Sequence, residues 1–311
     1  MNTEIPVTRT RIVVPRRRSE LLLRQRLLDL LDSLLDKKIV IVAAAAGYGK
    51  TSLLIDFADQ LEVPVCWYAI DPLDKDPQRF IAHLIASIQV KFPKFGKSAL
   101  TTLMNSPQGK VDLDRMITIM ANDAYESISE HFLMVIDDYH LVTESSEVNY
   151  FISRFCQDTD ENAHFIFSSR TLLSLPDLPL MVARNQVGGL SYEELAFNAQ
   201  EIQSLFLQNY GRTLSDKAAE DLSIRSEGWI TGLLLTSQIG EQDSQNRSRI
   251  ARASGVGIGD YFLQVLEQQS HEVQEFMLRS ALLEEFDAQL CEDVIGKSLS
   301  LHKTDWNACM T

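Results

Sequence analysis

Eight consecutive residues, Ala44-Ala45-Ala46-Gly47-Tyr48-Gly49-Lys50-Thr51, carry the strongest chemical signal in the chain. They follow the apolar run Ile39–Val42 and open a helical stretch, which is the setting a phosphate-binding loop requires. Such a loop turns several backbone N–H groups and a helix N-terminus toward one cluster of anionic oxygens, so it needs residues without bulky side chains. Gly47 and Gly49 supply that freedom. Lys50 would reach the β- and γ-phosphates as a point charge, and the Thr51 hydroxyl would ligate Mg²⁺. With Tyr48 and Ser52, the expected phosphate-binding set runs Gly47, Tyr48, Gly49, Lys50, Thr51 and Ser52. The pattern GxxxxGK[ST] begins with glycine, and Ala44 departs from it at that first position.

A second group of residues supports the first. Phe132–Ile136 is a buried-strand pattern that ends in Asp137-Asp138, delivering carboxylates to the sheet edge where ligands of open α/β sheets bind. Asp137 is placed to hold Mg²⁺, directly or through water. Asp138 either orients or deprotonates an attacking water or caps the turn Asp138-Tyr139-His140. The next strand ends in Ser168-Ser169-Arg170, whose guanidinium either donates to a γ-phosphate or pairs with a nearby acid. Asp138, Asp137 and Arg170 are therefore the candidate catalytic residues, and Thr51 with Asp137 the candidate metal ligands. His140 and His164 read as turn or core histidines, and Trp67, Tyr68 and Trp229 as core packing.

These residues need a scaffold. Leucines at helical spacing over residues 19–35 predict a helix with Ser19 as its N-cap and Lys37-Lys38 near its negative end. Strands are expected at 39–42, 63–70, 132–136 and 164–168, with helices near 50–60 and 78–90. That alternation argues for βαβ units and a parallel sheet. From about Asn198 the strand signal fades into helical patterns at 199–209, 215–226, 229–240 and 261–283. The polar, Gly/Ser-rich stretch 239–259 reads as a linker or surface loop, and the last residues, 301–311, as a frayed end. The expected domains are thus 1–198, 199–255 and 256–311.

Composition narrows the classes. At ~150 residues per domain, 311 residues make about two domains. Hydrophobic residues at 45% and charged residues at 23% exclude a disordered, collagenous or disulfide-scaffold chain. The net charge is −14, although residues 1–38 hold nine basic and five acidic residues, so the remainder is more acidic still. A body of that charge repels a phosphate backbone, which argues against non-specific nucleic-acid binding. Cys66, Cys156, Cys291 and Cys309 are widely separated, without metal-ligand spacing. No signal-peptide apolar region or run of ~18 apolar residues occurs, so no membrane partner is expected and the cytoplasm is the expected location. Arg16-Arg17-Arg18 reads as a solvated or phosphate-facing turn.

Taken together, Ala46–Thr51, Trp67-Tyr68-Ala69-Ile70-Asp71 with Asp74, Arg79-Phe80, Leu84-Ile85, Val135–Leu141 and Glu227-Gly228-Trp229 resemble the MalT-like, ATP-dependent LuxR-type regulators of the signal-transduction ATPases with numerous domains. The resemblance covers about residues 8–290. It implies a nucleotide-binding domain, a helical domain and a winged-helix domain in series, followed in such regulators by a tetratricopeptide-like sensor and a helix-turn-helix. It also implies ATP-favoured self-association and transcription activation, an ADP-bound closed monomer, and an inducer acting on a fuller-length protein. DNA contact would come only through a helix-turn-helix domain absent from this chain. The segment Arg11–Arg26 matches the family's entry into the ATP site, which would bring Arg24 near the nucleotide. Related ATPases often place Gly-x-Pro near the adenine, and Gly228-Trp229-Ile230 has no proline there.

The expectation is an α/β fold, a P-loop NTPase parallel sheet followed by a helical domain and the start of a winged-helix-like domain. Its function would be that of a regulatory switch using ATP/ADP and Mg²⁺, with slow hydrolysis. Two alternatives use the same residues: a small-molecule kinase and a scaffold with a degenerate nucleotide site.

Overall fold

Four runs rich in β-branched and aromatic residues become strands β1 (Ile39–Ala43), β2 (Val65–Ala69), β3 (Phe132–Asp137) and β4 (Ala163–Ser169), and a fifth strand, β5, spans Val187–Leu190. They form one parallel sheet in the order β2-β3-β4-β1-β5. A parallel sheet is covered on both faces, so its strands read as continuous apolar runs, and β3 is buried along its whole length. The computed structural model describes residues 6–105 and 110–237, positions 263 and 266, and residues 271–281.

Alternate side chains of the sheet enter two cores. On one face Tyr68, Ile136, Phe165 and Phe167 pack with α3 (Pro77–Gln89), α4 (Lys97–Asn105), α5 (Leu113–Ser127), α6 (Ser146–Asp158) and α7 (Leu178–Ala183). On the other, Val40, Val42, Trp67, Val135 and Ile166 pack with α1 (Gln25–Asp32) and α2 (Lys50–Gln60) through Leu27, Leu31, Leu54 and Phe57.

The first helix is shorter than its leucine spacing predicts. It begins at Gln25, and its N-cap is Arg24 rather than Ser19. Arg24 leaves helical geometry, at φ −108° and ψ 78°, and its buried guanidinium donates to the Leu195 and Ala196 carbonyls and to Glu201. Lys38 serves a different helix from the one expected. Its ammonium donates to the Thr159 and Asp160 carbonyls just past α6, where a cation suits the negative helix end.

Strand β5, Val-Gly-Gly-Leu, has no β-branched pattern to announce it. It forms because glycine permits the approach: a Cβ on Gly189 would lie 2.7 Å from the Ile41 carbonyl oxygen. Beyond it come α8 (Tyr192–Leu195), α9 (Ala199–Tyr210), α10 (Asp216–Ser226) and α11 (Ile230–Ser237). Asn198 and Glu201 close a capping box at the start of α9.

The chain divides into two compact units, Met1–Leu233 and Leu234–Thr311, so α9, α10 and the start of α11 share a unit with the sheet. In the second unit, α12 (His271–Ser280) buries Phe276 and carries an Arg279–Glu275 ion pair. The stretches 239–259 and 301–311, and the rest of the expected helix 261–283, lie outside the described residues. No helix among the described residues is long and apolar enough to cross a membrane. Cys66 and Cys156 are buried free thiols.

Candidate nucleotide site

The loop between β1 and α2 turns on two left-handed glycines, Gly47 at φ +87° and Gly49 at φ +80°, the latter as N-cap of α2. Gly47 has a second reason to be glycine. A Cβ there would stand 2.5 Å from both the Thr231 Oγ1 and the Trp229 Nε1. Ala44 sits one residue past β1, donates its N–H to the Ser169 carbonyl and buries its methyl in the α1–α2 core. The first position of the pattern therefore extends the strand pairing, and its side chain has room in the core. Tyr48 is half-buried against the same core, where desolvation raises its phenol pKa. Ser52 lies in the first turn of α2 beside Lys50 and Thr51, whose amides have no carbonyl partner inside the helix.

Lys50 is only 7% exposed, and its ammonium donates to the carbonyls of Ala44 (2.6 Å) and Ala45 (3.0 Å). Burial lowers its pKa, while Asp138 and Asp137 pull the other way. The Thr51 hydroxyl donates to Asp137 Oδ2 at 3.0 Å, joining residues 86 positions apart in sequence. The sheet order makes this meeting possible, since β3 lies two strands from β1 with only β4 between them. The Ser168 hydroxyl, on β4, donates to Asp137 Oδ1 and accepts the Asp138 N–H at 3.0 Å. Asp137 is 3% exposed. Burial raises its pKa against the opposing bonds from Ser168 and Thr51, so its charge is held in the site at a cost.

Asp138 takes the left-handed conformation, φ 58° and ψ 38°, which is uncommon for a residue with a side chain. Its carbonyl accepts from Leu141, yet its carboxylate makes no capping hydrogen bond to the turn. That carboxylate lies 3.8 Å from His140 Nδ1, itself a buried nitrogen with no hydrogen-bond partner. Burial, with the nearby Arg170 and Lys50 cations, brings the His140 pKa down to about 4 against the pull of Asp138. Arg170 is exposed at the end of β4 and forms no ion pair among the described residues. The geometry thus gathers Lys50, Thr51, Asp137, Asp138 and Arg170 at the carboxyl edge of the sheet, and adds His140.

Arg24 is spent elsewhere. Its hydrogen bonds go to Leu195, Ala196 and Glu201, and its guanidinium stacks 3.9 Å over the Phe197 ring. Arg11 bonds the Ile70 carbonyl and Asp71, and Arg17 pairs with Asp56 at 2.6 Å. Three arginines of the N-terminal segment therefore tie it to the end of β2, to α2 and to the α8–α9 corner. Arg16 and Arg18, beside Arg17, are exposed.

Trp229 is not core packing as its type suggests. Half-buried, its indole N–H donates to the Ala46 carbonyl at 2.9 Å, while the Thr231 hydroxyl donates to the Gly47 carbonyl at 3.2 Å. Neither residue carries a sequence signal for this role beyond the Gly228-Trp229 pair itself.

A parallel sheet with a glycine loop, a lysine and a threonine opening α2, and an acid two strands away defines a P-loop ATPase architecture. The same fold occurs in a Walker-type ATPase of Pyrococcus abyssi, with TM-score 0.59 and 14% identity over 94% of this chain and 89% of that one. Residues 262–306 match the family model of the MalT winged helix domain. The chain is similar to the HTH-type transcriptional regulator MalT of Yersinia pestis, 29% identical over 94% of this chain, and to that of Yersinia enterocolitica, 29% identical over 91%. It spans about a third of those relatives, 34% and 31% of their respective lengths. MalT-like regulators are therefore the group this chain resembles.

Proposed function

We propose that the chain is the nucleotide-operated switch of a MalT-like transcriptional regulator, binding ATP and ADP with Mg²⁺ and hydrolysing ATP slowly. The observation that carries this reading is the Thr51–Asp137 pair beside Lys50. A hydroxyl and a buried carboxylate face each other at the mouth of the loop, with no cationic side chain bonded to the carboxylate among the described residues. Such a hard oxygen pair fits Mg²⁺, which when bound would neutralise charge on the β- and γ-phosphates. Lys50 would exchange the Ala44 and Ala45 carbonyls for phosphate oxygens, a better partner for a partly buried ammonium. Arg170, exposed and without an ion pair among the described residues, would donate to the γ-phosphate. Asp138, whose carboxylate is not used by its own turn, would orient the attacking water and accept its proton as the γ-phosphoryl group leaves ADP.

The output would be conformational. A ligand shifts an equilibrium only by its differential affinity for the two states, and Arg170 is the residue that would distinguish ATP from ADP. Self-association in the ATP state, an inducer and DNA recognition belong to the proposed regulator as a whole.

Lys50→Ala tests the reading. Calorimetric titration of the variant should give an ATP affinity roughly 100-fold or more below wild type, with its far-ultraviolet circular dichroism unchanged. Unaltered affinity would refute the assignment. Asp138→Asn should slow hydrolysis much more than it weakens ATP binding, and equal losses in both would make Asp138 structural.

A further inference from the structure

The phosphate loop does not stand alone. Two of its carbonyls, Ala46 O and Gly47 O, accept hydrogen bonds from residues at the start of α11, more than 180 positions away: Trp229 Nε1 to Ala46 O at 2.9 Å, and both Thr231 Oγ1 and Thr231 N to Gly47 O at 3.2 and 3.4 Å. The fit is close on every side. A Cβ on Gly47 would collide with both partners, and one on Gly232 would stand 2.3 Å from the Trp229 ring, so the indole is seated between the loop and its own helix. Gly228, left-handed at φ +67°, lets the chain turn into α11 against Ala196 and Phe197.

In a planar trans peptide the carbonyl and the following N–H point in opposite directions. Bonding Ala46 O and Gly47 O to α11 therefore aims the N–H groups of Gly47 and Tyr48 away from α11. Neither amide donates to another group among the described residues. We propose that Trp229 and Thr231 are positioning residues for the phosphate loop: they lock two peptide planes so that the Gly47 and Tyr48 amides are preset as donors to a polyphosphate. The inference rests on the phosphate-loop reading, and it assigns to the helical segment a task at the phosphates rather than at the adenine. A loop held this way loses no rotational freedom of those two peptides when the anion arrives, so the contribution appears as affinity.

The test uses the whole 311-residue chain, with ATP and ADP titrated by calorimetry. Thr231→Val, nearly isosteric, should weaken both nucleotides by roughly 3- to 10-fold, the range of one lost neutral hydrogen bond. Thr231→Ser, which keeps the hydroxyl, should restore wild-type affinity. Trp229→Phe, which keeps a ring but no donor, should lose a similar factor, and the double variant more than either. The nucleotide-free unfolding temperature should be nearly unchanged in Thr231→Val. The proposal is overturned if Thr231→Val binds as wild type does, or if Thr231→Ser falls as far as Thr231→Val, which would make the contact mere packing. Failure of wild type itself to bind nucleotide would refute the phosphate-loop reading, a different outcome from wild-type binding that these variants leave intact.

Discussion

The two edges of the sheet treat their polar groups in opposite ways. At the amino edge the donors that flank β1, β3 and β4 are spent. Lys38 bonds the Thr159 and Asp160 carbonyls, Asn162 bonds those of Ile128 and Glu130, and His164 donates from Nδ1 to Lys37 while its other nitrogen lies 3.2 Å from His131. At the carboxyl ends of β3 and β4 the opposite holds. Among the described residues Asp137 is a buried carboxylate bonded by hydroxyls and by no cation, Asp138 is left-handed and does not cap its turn, His140 keeps a buried nitrogen unbonded, and Arg170 forms no ion pair. Both edges are made of the same strands, so chain geometry does not force the difference. Polar groups left unsatisfied together at one end of a well-satisfied sheet are what a binding edge requires, because groups already paired cannot serve a ligand without first losing a partner.

The sharpest way to test this contrast is Asp137→Asn. Removing the charge should lower Mg²⁺-dependent ATP hydrolysis by roughly two orders of magnitude. In the nucleotide-free protein the same change should raise the unfolding temperature by about a few degrees. Burial favours the neutral form of this carboxyl, so its ionised form at neutral pH opposes folding, and an amide of the same shape relieves that. Thermal denaturation alongside a phosphate-release assay reads both. A variant less stable than wild type would place Asp137 among structural residues.

Gly47→Ala should come next. The added methyl meets Trp229 and Thr231 at 2.5 Å in a left-handed backbone. The expected loss is about 1–3 kcal/mol in chemical denaturation, together with weaker nucleotide binding. A smaller effect belongs to the amino edge. Lys38→Met leaves two carbonyls without their ammonium and should cost about 1 kcal/mol of stability while nucleotide affinity stays at wild type. A change in affinity there would erase the functional asymmetry between the edges.

The sheet was legible because β1 to β4 are apolar, β-branched runs whose ends coincide with the residues of interest. The phosphate loop was legible because its glycines, lysine and threonine are constrained by type. What escaped has physical reasons. Strand β5 is half glycine, and only its closeness to Ile41 makes it a strand. The leucine spacing of residues 19–35 continues past the true helix start, since Arg24 must break helical geometry to reach Leu195, Ala196 and Glu201. The roles of Trp229 and Thr231 depend on α11 returning to the loop, a tertiary contact that no local pattern records. That the Asp138 carboxylate makes no capping bond is a matter of turn geometry that no local pattern records.

The smallest effect at neutral pH is expected from His140→Gln, and its pH dependence is what makes it informative. In the unfolded chain an imidazole takes up its proton near pH 6.5, whereas in the folded protein burial beside Lys50 and Arg170 delays this to about 4. Between those values the unfolded state binds more protons than the native one, so stability is lost as the pH falls through that window. Glutamine has no proton to take up. The variant should match wild type to within about 0.5 kcal/mol at pH 7.5 and then show a flatter acid limb between pH 6.5 and 4. Denaturant titrations at a series of pH values measure this directly. The imidazole faces Asp138, Lys50 and Arg170, so bound polyphosphate would add negative charge beside it and raise its pKa. The wild-type acid limb should therefore become shallower when nucleotide is present, because the folded-state pKa moves up toward the unfolded value, and should not respond to nucleotide in the Lys50→Ala protein. Parallel limbs in wild type and His140→Gln would mean that the histidine takes up its proton in the folded protein as readily as in the unfolded chain, and would remove it from the group of unsatisfied residues on which the contrast between the two edges stands.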